Sequence, residues 1–143
     1  MAGITRFWSG YPINVSANGD PGTLGGGQRA DYLGGQIYPN NPNRFNFFNP
    51  LVFGRPAQGT LGNLGRNALT GPGINNWDIS MYKNTRISER VSTQLRVETF
   101  NTFNHSQFFG PSSVNGDFDS GLFGQVVKAA PPRLMQLAAK FTF

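Results

Sequence analysis

Counted back from its last residue, the chain alternates. Phe143, Phe141, Ala139, Leu137 and Met135 fall on one side of an extended strand, and Thr142, Lys140, Ala138 and Gln136 fall on the other. Only Leu134, at the entry, breaks the rule. A two-residue period marks a β-strand with one apolar and one polar face. Two settings suit such a strand. One is the edge of a soluble sandwich; the other is the wall of a transmembrane barrel, apolar toward lipid and polar toward the lumen. The pattern predicts a closing strand over residues 133–143.

The same period recurs upstream. Over residues 76–87, Trp77, Ile79 and Met81 oppose Asp78, Ser80, Tyr82, Asn84 and Arg86. Lys83 lands on the apolar side, which requires either a bulge that shifts the register or a lysine that snorkels toward an interface. Over residues 91–103, Val91, Thr93, Leu95 and Val97 oppose Ser92, Gln94, Arg96 and Glu98. Only the short turn Ser88-Glu89-Arg90 separates these two segments, so they are expected to pair as an antiparallel hairpin. A first strand is expected over residues 4–15, where Phe7, Tyr11, Ile13 and Val15 share a parity. Pro12 interrupts its hydrogen-bond ladder and is tolerated only at an edge or a bulge.

Between the strands lie two long stretches, residues 16–75 and 104–132. The first is punctuated by Gly25-Gly26-Gly27, Pro39-Asn40-Asn41-Pro42 and Gly71-Pro72-Gly73, and it carries Phe45, Phe47, Phe48 and Phe53. A structureless loop of that length is unusual inside a compact domain, and the clustered aromatic residues imply that it folds onto something. The connections therefore run long, short, long. A meander gives that rhythm when both long loops lie on one side, as in outer-membrane barrels with short periplasmic turns and long extracellular loops. The expectation is an all-β fold: an antiparallel meander of about four strands with two long loops, in a single partial barrel domain over residues 1–143.

Composition agrees. Charged residues are 13% of the chain, against about 25% in an average soluble domain. Gly (19) and Pro (10) are frequent enough to interrupt any long helix. The net charge is +5, but Arg6, Arg29, Arg44, Arg55, Arg66, Arg86, Arg90, Arg96 and Arg133 are scattered along the chain. A nucleic-acid partner would need them on one stripe, so none is expected. There is no cysteine, hence no disulfide, thiolate nucleophile or cysteine-ligated metal. No apolar run reaches the ~18 residues of a transmembrane helix. Met1-Ala-Gly-Ile-Thr-Arg-Phe-Trp8 has neither the basic start nor the apolar core of a signal peptide.

Candidates for chemistry are few. His105 is the one histidine, and a lone loop histidine is expected to be structural. Asn115-Gly-Asp117-Phe-Asp119-Ser-Gly121 alternates oxygen ligands as a calcium loop does. Its glycine falls one residue late, however, and Val126 stands where the last ligand, a glutamate, belongs. An Asx turn is the expectation there. Gly25-Gly-Gly-Gln28 lacks the Lys-Ser/Thr of a phosphate loop. No enzyme, metal or cofactor is expected.

Three runs carry a family resemblance. Gly62-Asn-Leu-Gly-Arg-Asn-Ala-Leu-Thr-Gly-Pro-Gly-Ile-Asn-Asn-Trp-Asp-Ile-Ser-Met-Tyr-Lys-Asn-Thr-Arg86 resembles the C-terminal part of TonB-dependent receptors. Within them it resembles the Oar-like branch, in which the barrel follows a carboxypeptidase-regulatory-like domain. Leu95-Arg-Val-Glu-Thr-Phe-Asn-Thr-Phe-Asn-His105 and Pro132-Arg-Leu-Met-Gln-Leu-Ala-Ala-Lys-Phe-Thr-Phe143 extend the likeness, and Phe7-Trp-Ser-Gly-Tyr-Pro12 looks like the preceding strand. Residues 20–45 match least. The resemblance implies transport of large solutes across the bacterial outer membrane through a barrel of about 22 strands, plugged by an N-terminal domain.

Four strands cannot close such a barrel, and no plug or energy-coupling segment is present in these residues. Two free edges would recruit either the missing barrel strands or copies of the chain itself. The second case would be a stand-alone homo-oligomer or filament at the cell surface. The expected lumen-facing set is Asp78, Ser80, Arg86, Gln94, Arg96, Glu98 and Lys140. The set expected to face lipid, detergent or a protein partner is Trp77, Ile79, Met81, Leu95, Val97, Leu137, Phe141 and Phe143. The resemblance gives Phe143 the further role of a terminal signal for barrel assembly.

Overall fold

The computed structural model describes residues 1–17 and 28–143. In chain order its strands are β1 (Ala2–Trp8), β2 (Pro12–Ile13), β3 (Ser16–Ala17), β4 (Gln28–Arg29), β5 (Asp31–Tyr32), β6 (Phe53–Gly54), β7 (Leu69–Thr70), β8 (Ile74–Arg86), β9 (Ser92–Phe100) and β10 (Leu134–Thr142). Among the described residues the one helical element is a 3-10 turn, Pro50–Val52. The fold is all-β, and each paired strand is antiparallel to its partner.

The four long strands form one open sheet in the order β1-β8-β9-β10. Thr5 lies opposite Trp77, Met81 opposite Val97, and Val97 opposite Leu137. The β8–β9 register runs unbroken from Ile79–Thr99 to Arg86–Ser92, so Lys83 faces Leu95 with no bulge. The hairpin turns where expected: the amides of Ile87 and Ser88 donate to the Val91 carbonyl at 2.9 and 3.1 Å. Both long connections leave and re-enter the sheet at its other end, after Trp8 and after Phe100.

Three boundaries differ from expectation. The strand expected over 4–15 is β1 alone and stops at Trp8. A Cβ at Gly10 would run into the Gly71 carbonyl, and the chain turns there into the separate β2–β7 ladder, whose first pair is Pro12 with Thr70. The strand expected over 91–103 ends at Phe100 because Asn101 turns to φ 50°, a conformation that Asn reaches more readily than most residues. The expected single domain divides into two compact units. One holds Met1–Trp8, Ile74–Gln107 and Ala130–Phe143, and the other Ser9–Gly73 and Phe108–Ala129.

The segments expected as loops build that second unit. Three short ladders, β2–β7, β3–β4 and β5–β6, frame it. Its core gathers Ile13, Val15, Ala17, Ala30, Phe48, Val52, Phe53, Leu64, Leu69 and Val114. Phe48 is fully buried, with Phe53 and Phe123 edge-on to it at 5.6 and 5.1 Å, the arrangement that ring quadrupoles favour. Gly62 is required here, since a side chain would collide with the carbonyls of Arg29 and Ala30. The Gly25–Gly27 run lies outside the described residues.

The sheet unit is built differently. Every residue of β1 and β10 is exposed, and its buried residues are polar: Asn76, Asn101 and Gln107. Among the described residues, none of the buried hydrophobic ones belongs to it.

Candidate functional site

A sheet that buries no apolar residue on either side is an incomplete structure in water, so its two faces are the candidate site. The register puts Asp78, Ser80, Arg86, Gln94, Arg96, Glu98 and Lys140 on one face. Ser80, Glu98 and Gln136 share one row across the strands, and Asn84, Gln94 and Lys140 share another. The side chains bond along the face. Gln94 Nε2 donates to Asn84 Oδ1 at 2.8 Å, Arg96 Nη2 donates to Gln94 Oε1 at 3.1 Å, and Arg96 Nη1 lies 3.7 Å from Glu98 Oε1. Exposed pairs of this kind add little stability, about 0–1 kcal/mol each; they make the face polar. Arg86 differs from the rest, because it donates to the carbonyls of Ser88 and Glu89 and braces the turn.

Toward the loop end the polar face tightens around Asp78. Its Oδ2 accepts from Arg6 Nη2 at 2.9 Å. Its Oδ1 accepts from Asn76 Nδ2 and from the Asn101 amide, each at 2.9 Å. Asn101 in turn uses its side chain as a strand substitute, with Oδ1 accepting from the His105 amide and Nδ2 donating to the His105 carbonyl. Gln107 does the same to Asn75, accepting from its amide and donating to its carbonyl. Periodicity could not reveal these clamps. Their one trace in the sequence is the Asn101-Thr-Phe-Asn-His105 run, whose two asparagines both have positive φ. His105 stacks on Phe103 within this turn and has a structural setting.

The opposite face carries Trp77, Ile79, Met81, Leu95, Val97, Leu137 and Phe141, with Phe143 just beyond β10 and 94% exposed. Phe7, Trp77 and Phe103 form an edge-on aromatic row at its loop end, with ring separations of 5.8 Å. Phe141 lies at its turn end, in line with Thr93 and Thr85. From the level of Trp77 to that of Thr85 is about 27 Å along the strand at ~3.4 Å per residue. Tilted by about 40°, that stretch spans roughly 21 Å of bilayer, near the ~25 Å apolar band of outer-membrane barrels.

β1, β8 and β9 are also staggered, whereas β9 and β10 pair end to end without offset. β1 is centred on Thr5, level with Trp77, whereas β10 is centred on Ala138, level with Tyr82. That drift of about 17 Å across three strand spacings of ~4.8 Å corresponds to a tilt of about 50°. Closed barrels need a stagger of this order, with strands inclined by roughly 35–45°.

The Asn115–Gly121 stretch, in the other unit, forms the expected Asx turns. Asn115 Oδ1 accepts from the Asp117 amide at 2.8 Å, Asp117 Oδ1 accepts from the Asp119 amide at 3.1 Å, and Asp119 pairs with Arg55.

A family model described as an outer membrane beta barrel domain matches residues 1–136. No curated protein matches the chain, and no solved structure matches it.

Proposed function

Because this chain belongs to the outer membrane β-barrel family, we propose that its sheet is part of the wall of a TonB-dependent transporter of the Oar-like branch, in the bacterial outer membrane. The observation that carries this is the sheet without a core, apolar on one side, hydrogen-bonded and charged on the other, and open at both edges. In this proposal the Asp78, Ser80, Arg86, Gln94, Arg96, Glu98 and Lys140 face lines the lumen. The Trp77, Ile79, Met81, Leu95, Val97, Leu137 and Phe141 face meets lipid. The second unit, built from the two long connections, supplies contacts to the solute.

Single cysteines test the wall, since the chain has none of its own. In intact outer membranes, Gln136→Cys is expected to react with a water-soluble maleimide and Leu137→Cys to react only after detergent is added. Equal labelling of both positions would rule out a lipid-facing side.

A second possibility rests on the free edges. β1 and β10 run in opposite directions, because each long strand is antiparallel to its neighbour. The β10 edge of one copy can therefore continue an antiparallel ladder into β1 of another, giving a homo-oligomeric ring or filament. Cysteines at Gly3 and Ala139 separate the two cases. Disulfides to a plug-bearing polypeptide support the transporter, and disulfides between copies of the chain support self-assembly.

A further inference from the structure

Of the charged residues in the four long strands, Arg6, Asp78, Arg86, Arg96, Glu98 and Lys140 share the polar face. Lys83 alone stands on the apolar one, beside Leu95 and level with Ala139. The unbroken register leaves no bulge to turn it inward. Lys83 is exposed, and among the described residues no carboxylate pairs with it.

Its depth is the second observation. Met81, level with Val97 and Leu137, lies midway between the aromatic row at Trp77 and the level of Phe141. Lys83 lies about 7 Å further along the strand, toward the turn. From there a lysine stem can run along the apolar surface and carry its ammonium to the boundary of the band, where such groups are tolerated. Thr85, exposed on the same face one step nearer the turn, adds a hydroxyl donor at that level. Exposed Arg90 stands in the turn itself.

We propose that Lys83, with Thr85, holds the headgroup phosphate of a phospholipid in the leaflet at the turn end of the sheet. This rests on the barrel-wall proposal above. An ammonium and a hydroxyl suit a phosphodiester oxygen, and the apolar residues beside and above Lys83, Leu95 at its level and Met81 and Leu137 a step further from the turn, suit the acyl chains of the same lipid. The site would fix the depth of the wall in the bilayer.

The full chain in a mild detergent, titrated with phosphatidylglycerol and followed by native mass spectrometry, tests the site. Wild type and Lys83→Arg are expected to retain the lipid, and Lys83→Gln to retain it about tenfold less. Lys128→Gln, an exposed change in the other unit, is expected to match wild type. A galactolipid without phosphate is expected to bind all four proteins equally weakly. Equal retention of phosphatidylglycerol by wild type and Lys83→Gln would overturn the site. So would displacement of the lipid by millimolar inorganic phosphate, which would point to a free-anion site. Co-flotation of wild type with phosphatidylglycerol vesicles, measured beside this, tests the wall itself. Failure to float would reject the wall, whereas flotation with no effect of Lys83→Gln would reject the lipid site alone.

Discussion

Asn101 donates its backbone N–H to Asp78 Oδ1 at 2.9 Å, and so ties the turn that ends β9 to the middle of the neighbouring strand. Asp78 also holds Asn76 on its own strand and Arg6 on β1. One carboxylate thus joins three consecutive pieces of the sheet on its polar face.

Removing that carboxylate should cost more than removing its visible ionic partner. Asp78→Ala strands the buried Asn101 and Asn76 donors, a loss of about 1–3 kcal/mol. Arg6→Ala removes a side chain that is 58% exposed, and exposed pairs contribute about 0–1 kcal/mol. Urea midpoints of both variants in detergent check this. If Arg6→Ala proves as damaging as Asp78→Ala, the ion pair and not the amide bond holds the node.

The apolar face should be sensitive to charge by depth. Leu137 lies level with Met81 at mid-band, and Phe141 lies level with Thr85 near the turn end. Leu137→Arg is expected to destabilise by roughly 2–4 kcal/mol and Phe141→Arg by about 0–1 kcal/mol, with Gln136→Arg on the other face nearly neutral. Folding titrations into lipid vesicles would give the order. A flat response across the three positions would mean that the face does not contact hydrocarbon.

The second unit stands on its aromatic core. Phe48→Ala opens a cavity among Phe53, Phe123 and their neighbours and is expected to cost about 3–5 kcal/mol. Leu51→Ala, three residues on but 84% exposed, should stay within about 0.5 kcal/mol. Thermal unfolding of the two variants reports the contrast.

The Asn101 clamp predicts a local effect. Asn101→Gly keeps the positive φ but frees the His105 amide and carbonyl. Hydrogen exchange at His105 is expected to rise at least tenfold, with the strand amides of β8 unchanged. Protection of His105 as in wild type would show that the turn is held elsewhere.

Much of the sheet was legible from the chain alone, because strand parity is a local property. The alternation at Trp77–Arg86, Val91–Glu98 and Met135–Phe143 assigned the two faces, and the Ser88-Glu89-Arg90 turn made the hairpin. Side chains on a pleat must alternate whatever covers them. The sequence also determined that the chain is all-β and that its long connections fall at one end. Contacts distant in sequence decided the rest. Tyr11 and Ile13 keep the parity of Phe7, yet Ile13 pairs with Leu69, and Pro12 with Thr70, once the chain has turned at Gly10. Phe48 meets Phe123 across 75 residues, and no local pattern announces that the two loops share a core. The asparagines and glutamines, legible only as low-charge composition, became backbone clamps at Asn63, Asn101 and Gln107. An amide can satisfy a strand edge from any distance along the chain, so only the tertiary structure shows which edge it meets.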